Sequence, residues 1–242
     1  NQETPDIGKT FIYDNINPTA AMVSPVNDQK LSSLSYVTGT AVDGLAGVSN
    51  VKITIKRDAD TKYWNGAGQW TATETWLNGT GTTSWSYGDA SLWASGNWYL
   101  INAQATDNAT NRETPGVLIS FLFDSSSPSS IISDPQNNSK LSALSMISGT
   151  AQDYPATNAG LASVKISVKN TTDTQWWLGS VNDWTTSEYY FTATSTYNWQ
   201  YGTPAWANGK RYLVKSYAID NASVSESAGV GSSFLYDGTA PT

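Results

Sequence analysis

Six aspartates occupy matching positions in two halves of the 242-residue chain, and their side chains are the strongest candidates for chemistry. They form three pairs whose members lie 110 or 113 residues apart: Asp14 and Asp124, Asp43 and Asp153, and Asp107 and Asp220. Carboxylate oxygens are the ligands that Ca²⁺ takes in proteins, roughly six to eight oxygens per ion. Aspartates also cap turns by accepting hydrogen bonds from backbone N–H groups. The six positions are therefore candidates either for metal binding or for turn capping.

The residue types that the chain lacks exclude most other chemistry. Without histidine and cysteine there is no Ser-His-Asp triad, no cysteine nucleophile, no structural zinc site and no disulfide. The 20 acidic and 13 basic residues give a net charge of −7, which disfavours a nucleic-acid partner. A carboxylate pair for glycoside hydrolysis stays open. Glu74 and Glu188 align between the halves, but nothing places a second carboxylate opposite either, so we predict that the chain is not an enzyme.

The chain repeats itself with a period of about 110 residues. KLSSLSYVTGTAVD, residues 30–43, recurs as KLSALSMISGTAQD at 140–153, and an insertion of three residues then moves the offset to 113. The first fourteen residues match residues 111–124 at six positions. Such internal repeats predict an array of similar modules. The predicted organisation is the last strand of a preceding repeat, two sandwiches and the start of a further linker, at residues 1–14, 15–124, 125–237 and 238–242.

Each repeat has the pattern of short strands rather than of helices. In the first repeat, alternating runs bounded by Gly, Asn, Asp and Pro predict seven strands, near residues 20–23, 35–41, 50–56, 69–75, 83–87, 98–105 and 116–123. That number of strands in such a length is typical of an immunoglobulin-like sandwich. We therefore predict an all-β chain of two tandem immunoglobulin-like (fibronectin III-like) β-sandwiches, plus an N-terminal strand belonging to a preceding repeat.

The predicted sandwich brings the aspartates of each repeat together. The linker before the first strand and the ends of the second and sixth strands all lie at the same pole of such a sandwich. Three carboxylates that are far apart in sequence should therefore converge there. Such a cluster repels itself unless a hard cation or hydrogen-bond donors compensate, and Ca²⁺ tolerates the irregular geometry of such a site.

Several short motifs resemble the tandem bacterial Ig-like repeats of large extracellular surface proteins and adhesins. Both copies contain an Asp-x-x-x-Pro linker, Gly-Thr-Ala-x-Asp, Trp-Ser-Tyr or Trp-Gln-Tyr, Gly-x-x-Tyr and Ala-x-Asp-Asn. The resemblance covers essentially the whole chain. One departure lies after the sixth strand, where the family often has Asp-x-Ala-Gly-Asn. This chain has DNATN in the first copy and DNASV in the second, so the second copy lacks the final asparagine.

The resemblance implies an extracellular or cell-surface location, with neighbouring Ig-like repeats in the same or an adjacent chain as partners. In several adhesins of this kind, junctional aspartates bind calcium and stiffen the fibre. The resemblance therefore implies Ca²⁺ at the interdomain junctions, held by Asp14, Asp43, Asp107, Asp124, Asp153 and Asp220, and no other cofactor. Because no run of apolar residues is long enough to span a bilayer, we expect no membrane insertion of this segment.

Tryptophans in the middle of each repeat form a second candidate site. If their rings are exposed, they could stack on the sugar rings of a cell-surface glycan or receptor, and the candidates are Trp64, Trp70, Trp177 and Trp184. Packing in the sandwich core explains their repetition equally well. Sequons for glycosylation occur at Asn78, Asn108, Asn137, Asn170 and Asn221.

Three functions are compatible with these patterns. The chain could be a structural module whose tandem repeats form an extended surface fibre, filament or adhesin stalk, and we favour this prediction. It could instead be a carbohydrate-binding or adhesive module that uses exposed tryptophans. In a third alternative it is a filament subunit, in which residues 1–14 complete a sandwich of another chain by strand exchange.

Overall fold

The computed structural model describes residues 8–89, 91–179 and 183–240. Every regular element within these ranges is a β-strand, which confirms the predicted all-β class. No helix that could cross a membrane occurs among these residues. Internal contacts divide the chain into two compact units, the first formed by Asn1–Gln29, Leu34–Trp93 and Asn97–Leu122 and the second by Lys30–Ser33, Ala94–Gly96 and Phe123–Thr242.

The two copies contain equivalent series of strands. Those of the first copy are β1 (Thr19–Ser24), β2 (Gln29–Leu31), β3 (Val37–Val42), β4 (Val48–Arg57), β5 (Lys62–Trp64), β6 (Trp70–Thr71), β7 (Leu77–Asn78), β8 (Thr80–Gly81), β9 (Ser84–Tyr87), β10 (Asn97–Asp107) and β11 (Ile119–Phe123). Those of the second copy are β12 (Ser129–Asp134), β13 (Ser139–Leu141), β14 (Ile147–Gln152), β15 (Leu161–Asn170), β16 (Gln175–Trp177), β17 (Trp184–Thr185), β18 (Phe191–Thr192), β19 (Asn198–Tyr201), β20 (Lys210–Asp220) and β21 (Ser232–Tyr236).

Each copy forms a sandwich of two sheets. In the first, the strand orders are β1-β3-β9-β8 and β2-β11-β10-β4-β5-β6, with β7 also paired to β4. In the second, they are β12-β14-β19 and β13-β21-β20-β15-β16-β17, with β18 also paired to β15. The long central pairs β4–β10 and β15–β20 are antiparallel, whereas β13 runs parallel to β21. The predicted immunoglobulin-like sandwiches are therefore confirmed.

Alternation along the long strands builds the core of each sandwich. On β4, Val51, Ile53 and Ile55 are fully buried, and Lys52 and Lys56 point away from the core. Neighbouring strands of the same sheet contribute large aromatic side chains, such as Tyr212 on β20 and Phe234 on β21 in the second sandwich. The period of two places successive side chains on opposite faces of a strand, so one face of each sheet packs inward.

A tryptophan in each sandwich lies against a glycine of the neighbouring strand. The indoles of Trp85 and Trp199 are almost completely buried. Their Nε1 atoms donate to the carbonyl oxygens of Thr40 and Thr150, in each case at 3.1 Å. The six-membered part of each indole covers the preceding residue of that strand, which is Gly39 or Gly149. A side chain at either glycine would occupy the volume that the indole fills.

The predicted strand at residues 69–75 is wrong in extent. Only Trp70–Thr71 pairs there, as the second arm of a hairpin with β5, and Leu77–Asn78 then pairs with β4. The hairpin turn is closed by Asn65, whose Oδ1 accepts hydrogen bonds from the backbone nitrogens of Ala67 (2.8 Å) and Gln69 (3.1 Å). Side-chain capping of this kind favours a tight turn. The prediction also missed the short strands β2, β5, β7 and β8.

The segment before β1 forms no strand in residues 8–18, and residues 1–7 lie outside the described ranges. Its apolar side chains are exposed: Phe11 is 87% exposed, and Ile12 and Tyr13 are also mostly exposed. The equivalent phenylalanines of the two sandwiches, Phe121 and Phe234, are fully buried. The assignment of residues 1–14 to a preceding repeat stays a prediction.

Candidate metal centre

Three carboxylates meet at one end of the first sandwich. Asp14 lies in the linker before β1, Asp43 directly follows β3, and Asp107 ends β10. One oxygen from each lies within 4.8 Å of the others. Asp14 and Asp107 are buried, and Asp43 is half-buried. We call these three residues the first cluster.

The second sandwich contains an equivalent group. Asp124 lies in the linker between β11 and β12, Asp153 directly follows β14, and Asp220 ends β20. One oxygen from each again lies within 4.8 Å of the others, and all three residues are buried. We call these three residues the second cluster. The structure thus brings all six predicted aspartates together in two sets of three.

The linker aspartates hold the loops that follow β3 and β14. In the first cluster, Asp14 Oδ1 accepts from Ile16 N and Oδ2 accepts from Ala46 N, both at 2.9 Å. In the second, Asp124 Oδ1 accepts from Ser126 N (3.0 Å) and Oδ2 accepts from Ala159 N (2.7 Å). Each of these carboxylates therefore ties its linker to a loop of the sandwich that follows it in sequence.

The other aspartates accept bonds from their own loops. Asp43 Oδ2 accepts from Gly47 N at 2.6 Å, and Asp153 Oδ2 accepts from Gly160 N at 2.8 Å. Asp220 Oδ1 accepts from Ala222 N and Val224 N, both at 2.8 Å. Turn capping is thus present in both clusters. A carboxylate has about four lone-pair sites, so capping leaves oxygen lone pairs for a cation.

In the part of the chain that the structure describes, no ion pair neutralises the negative charge of either cluster. The ion pairs among the described residues involve Asp60, Asp173 and Glu188, none of which belongs to a cluster. Burial raises the pKa of Asp153 and Asp220, and the neighbouring carboxylates raise it further. The nearby charge of Lys30, whose Nζ donates to Ala159 O at 2.6 Å, offsets part of the rise for Asp153.

These raised pKa values affect stability in a defined direction. A carboxyl whose pKa is higher in the folded state than in the unfolded chain binds its proton more tightly when folded. Without a cation, ionisation of Asp153 and Asp220 therefore destabilises the second sandwich as the pH rises above their ordinary value of 3.8. A cation bound to the ionised groups would remove this cost.

Two buried carboxylate oxygens have no hydrogen-bond partner among the described residues. They are Oδ1 of Asp43 in the first cluster and Oδ2 of Asp220 in the second. A buried polar atom without a partner costs free energy. The donor set of each cluster consists of carboxylate oxygens, which fits a hard cation such as Ca²⁺. Each cluster therefore has the charge and the free oxygen that such an ion would use.

Asparagines that the sequence patterns did not identify as structural support both clusters. Asn108 Nδ2 donates to the carbonyl oxygens of Ala46 and Gly47, and Asn221 Nδ2 donates to those of Ala159 and Gly160. These bonds fix the loops whose backbone N–H groups contact the aspartates. Their recurrence in the Ala-x-Asp-Asn motif of both copies was the available signal.

The sequons differ in exposure. Asn170 is buried and its Nδ2 donates to Asp173 Oδ2 at 2.9 Å, so glycosylation there does not fit the fold. Asn108 and Asn221 are exposed, but their Nδ2 atoms hold the loops described above. Asn78 and Asn137 are exposed, and glycosylation at these two positions stays a prediction.

The tryptophans proposed as sugar platforms pack within the sandwiches. Trp64 is 5% exposed and Trp177 is 3% exposed, so neither presents a ring face to a ligand. Trp70 stands 5.4 Å from Trp64 between ring centroids, and the guanidinium of Arg57 lies 4.5 Å from its ring centroid. Trp184 packs at 6.2 Å from Tyr212. Burial of Trp64 and Trp177 contradicts a platform at those positions and agrees with core packing.

Comparisons with known proteins concern the fold alone. The fibronectin(III)-like modules of Clostridium thermocellum CbhA are 14% identical, with 90% of this chain and 94% of that chain covered and a TM-score of 0.42. The FN1-FN3 domains of chicken CNTN1 are 13% identical, with coverages of 91% and 67% and a TM-score of 0.33. The chicken interferon gamma receptor alpha chain is 11% identical, with coverages of 92% and 98% and a TM-score of 0.33. No family model and no curated protein match the sequence.

Proposed function

We propose that the chain is a non-enzymatic, extracellular structural module, in which tandem Ig-like repeats build an extended surface fibre, filament or adhesin stalk. The observation that carries this proposal is the same carboxylate cluster in both sandwiches, each built from one linker aspartate and two strand-end aspartates. Because each repeat has its own copy of the site, we infer that the site has a role common to every repeat. Attachment of each linker to the sandwich that follows it is such a role.

Calcium is the cation that we propose for both clusters. Three carboxylates supply strong negative charge, and backbone carbonyls and water could complete the coordination that Ca²⁺ requires. Because Asp14 and Asp124 come from linkers, a bound ion would fasten each linker to its sandwich. The linker would then lose conformational freedom, which is the property that a stiff array of repeats needs. Mg²⁺ fits less well, since it demands a near-ideal octahedron.

Calcium should therefore stabilise both sandwiches, and chelation should reverse the effect. At a free Ca²⁺ concentration about 100 times Kd, binding to the folded state alone adds about 2.7 kcal/mol per site to the free energy of unfolding. Differential scanning calorimetry in Ca²⁺, Mg²⁺ and EDTA measures this, and ¹⁵N relaxation of residues 125–127 reports linker motion. Melting temperatures and linker relaxation that are identical in Ca²⁺ and EDTA would refute the calcium role.

A matched variant separates site binding from nonspecific charge effects. Asp58 is exposed and lies outside both clusters. Asp58→Asn removes the same charge as a substitution within a cluster, and it should leave the calcium-induced rise in melting temperature unchanged.

Strand exchange is the second candidate, favoured by the exposed apolar side chains of Phe11, Ile12 and Tyr13. Burial of this segment in the last-strand position of an Ig-like repeat in an adjacent chain would remove these side chains from water. The full chain should then form oligomers that increase with concentration in size-exclusion chromatography with light scattering, and Phe11→Ser should abolish them. A chain that stays monomeric at every concentration would exclude this candidate.

A further inference from the structure

The second cluster differs from the first in its longer loop at residues 153–160, in a hydrogen bond from Ser95 Oγ to Asp124 Oδ1 (2.9 Å), and at the position four residues after its strand-end aspartate. In the first sandwich, Asn111 N donates to Asp107 Oδ1 at 2.8 Å, and Asp107 N donates to Asn111 O at 3.1 Å. In the second, Val224 N donates to Asp220 Oδ1 at 2.8 Å, and Asp220 N donates to Val224 O at 3.0 Å. The backbone contacts are the same, so positions 111 and 224 are structurally equivalent.

The side chain of Asn111 supplies hydrogen bonds that Val224 cannot. Its Nδ2 donates to Asp107 Oδ2 at 2.8 Å and to the carbonyl oxygen of Asp14 at 3.0 Å. The Asn111 amide thus offsets part of the negative charge of Asp107, and it also holds the linker through the carbonyl oxygen of Asp14. In the second cluster, Oδ2 of Asp220 has no partner among the described residues, although Asp220 is only 1% exposed.

This difference makes the second cluster more dependent on a cation. Its three carboxylates are all buried, so water solvates their charges poorly, and one oxygen of Asp220 has no donor within the described part of the chain. The first cluster also has one buried oxygen without a partner among the described residues, Oδ1 of Asp43, but the rest of that residue is only half-buried. Hydrogen bonds to charged groups are stronger than those between neutral groups, and a cation that enters the first cluster must displace or rearrange the bond from Asn111.

We propose that the second cluster binds Ca²⁺ more tightly than the first. Asn111 weakens the first site because its amide already occupies an oxygen of Asp107 that the cation would use. The inference rests on the proposed calcium function of both clusters. Asn111 is then a residue that sets the affinity of its site for Ca²⁺. The two junctions would bind Ca²⁺ at different concentrations.

Exchange of the two side chains tests the inference on the full chain. Isothermal titration calorimetry with CaCl₂ should resolve two sites whose Kd values differ by about tenfold. Asp107→Asn should remove the weaker site and Asp220→Asn the tighter one. Val224→Asn should weaken the second site by about tenfold and raise the melting temperature of the second sandwich in EDTA. Asn111→Val should strengthen the first site, and Asp58→Asn should change neither.

The results distinguish failure of the calcium function itself from failure of the inferred difference in affinity between the two clusters. No heat of binding from the wild-type chain at millimolar Ca²⁺ would overturn the calcium function itself. Equal affinity at both clusters would overturn only the difference inferred here. Loss of calcium binding at the first cluster in a folded Asn111→Val variant would also overturn it, because Asn111 would then be a ligand. If Asn111→Val does not fold, Val224→Asn still decides, since unchanged affinity there contradicts the inference.

Discussion

Gly149→Ala should destabilise the second sandwich by about 3 kcal/mol, because added volume in a packed core forces strain on its neighbours. A Cβ at this position would lie 2.1 Å from the carbonyl oxygen of Ile131 and 2.2 Å from Cζ2 of Trp199. Ile131 is held in the β12–β14 ladder. Trp199 is buried and fixed by its bond to Thr150 O. Neither neighbour can move away without breaking a hydrogen bond or opening the core.

Urea denaturation followed by tryptophan fluorescence measures this loss. Gly202→Ala is the matched control, since a Cβ there meets nothing within 4 Å, and its free energy of unfolding should stay within about 0.5 kcal/mol of wild type. Gly39→Ala should produce the same loss in the first sandwich, where the Cβ would lie 2.2 Å from Trp85 Cζ2. A Gly149→Ala protein as stable as the control would show that the indole does not pack as described.

Asp220→Asn should abolish the calcium response of the second sandwich and leave that of the first intact. The lost stabilisation should be about 2.7 kcal/mol at a free Ca²⁺ concentration about 100 times Kd. The substitution is nearly isosteric, and Oδ1 can keep its bonds from Ala222 N and Val224 N. Only Oδ2, which has no partner among the described residues, is replaced by an amide. The variant therefore removes charge without removing a cap.

The same variant should be more stable than wild type in EDTA. Burial and neighbouring carboxylates raise the pKa of Asp220, so its ionised form is unfavourable in the metal-free fold at neutral pH. Calorimetry in EDTA at pH 7 should show a higher melting temperature for the second sandwich. A variant that keeps the calcium-induced rise in melting temperature would contradict the assignment of Asp220 as a ligand.

The sequence predicted the parts of the molecule that depend on period and repetition. Alternation in VKITIK and VKISVK predicted the buried strands, and the topology of a sandwich predicted that Asp43 and Asp107 would meet the linker aspartate. These features need only the order of strands. The two carboxylate clusters could therefore be placed before any distances were known.

Features that depend on the direction of one side chain could not be predicted in this way. Asn111 and Val224 differed visibly in sequence, but only the geometry places the Asn111 amide on Asp107 and on the backbone of Asp14. The contact between Gly149 and Trp199 joins residues that are distant in sequence, and a repeated glycine has several explanations. The burial of Trp64 likewise depends on the β5–β6 hairpin, whose two arms are too short for an alternation signal.

The last strands of the two sandwiches have almost interchangeable sequences, SFLFD and SFLYD, and each buries a phenylalanine at the same place, Phe121 or Phe234. The segment TFIYD at residues 10–14 is a third copy of this pattern. An isolated sandwich that lacks its own last strand should therefore accept any of the three segments, because each offers a phenylalanine for the same buried position.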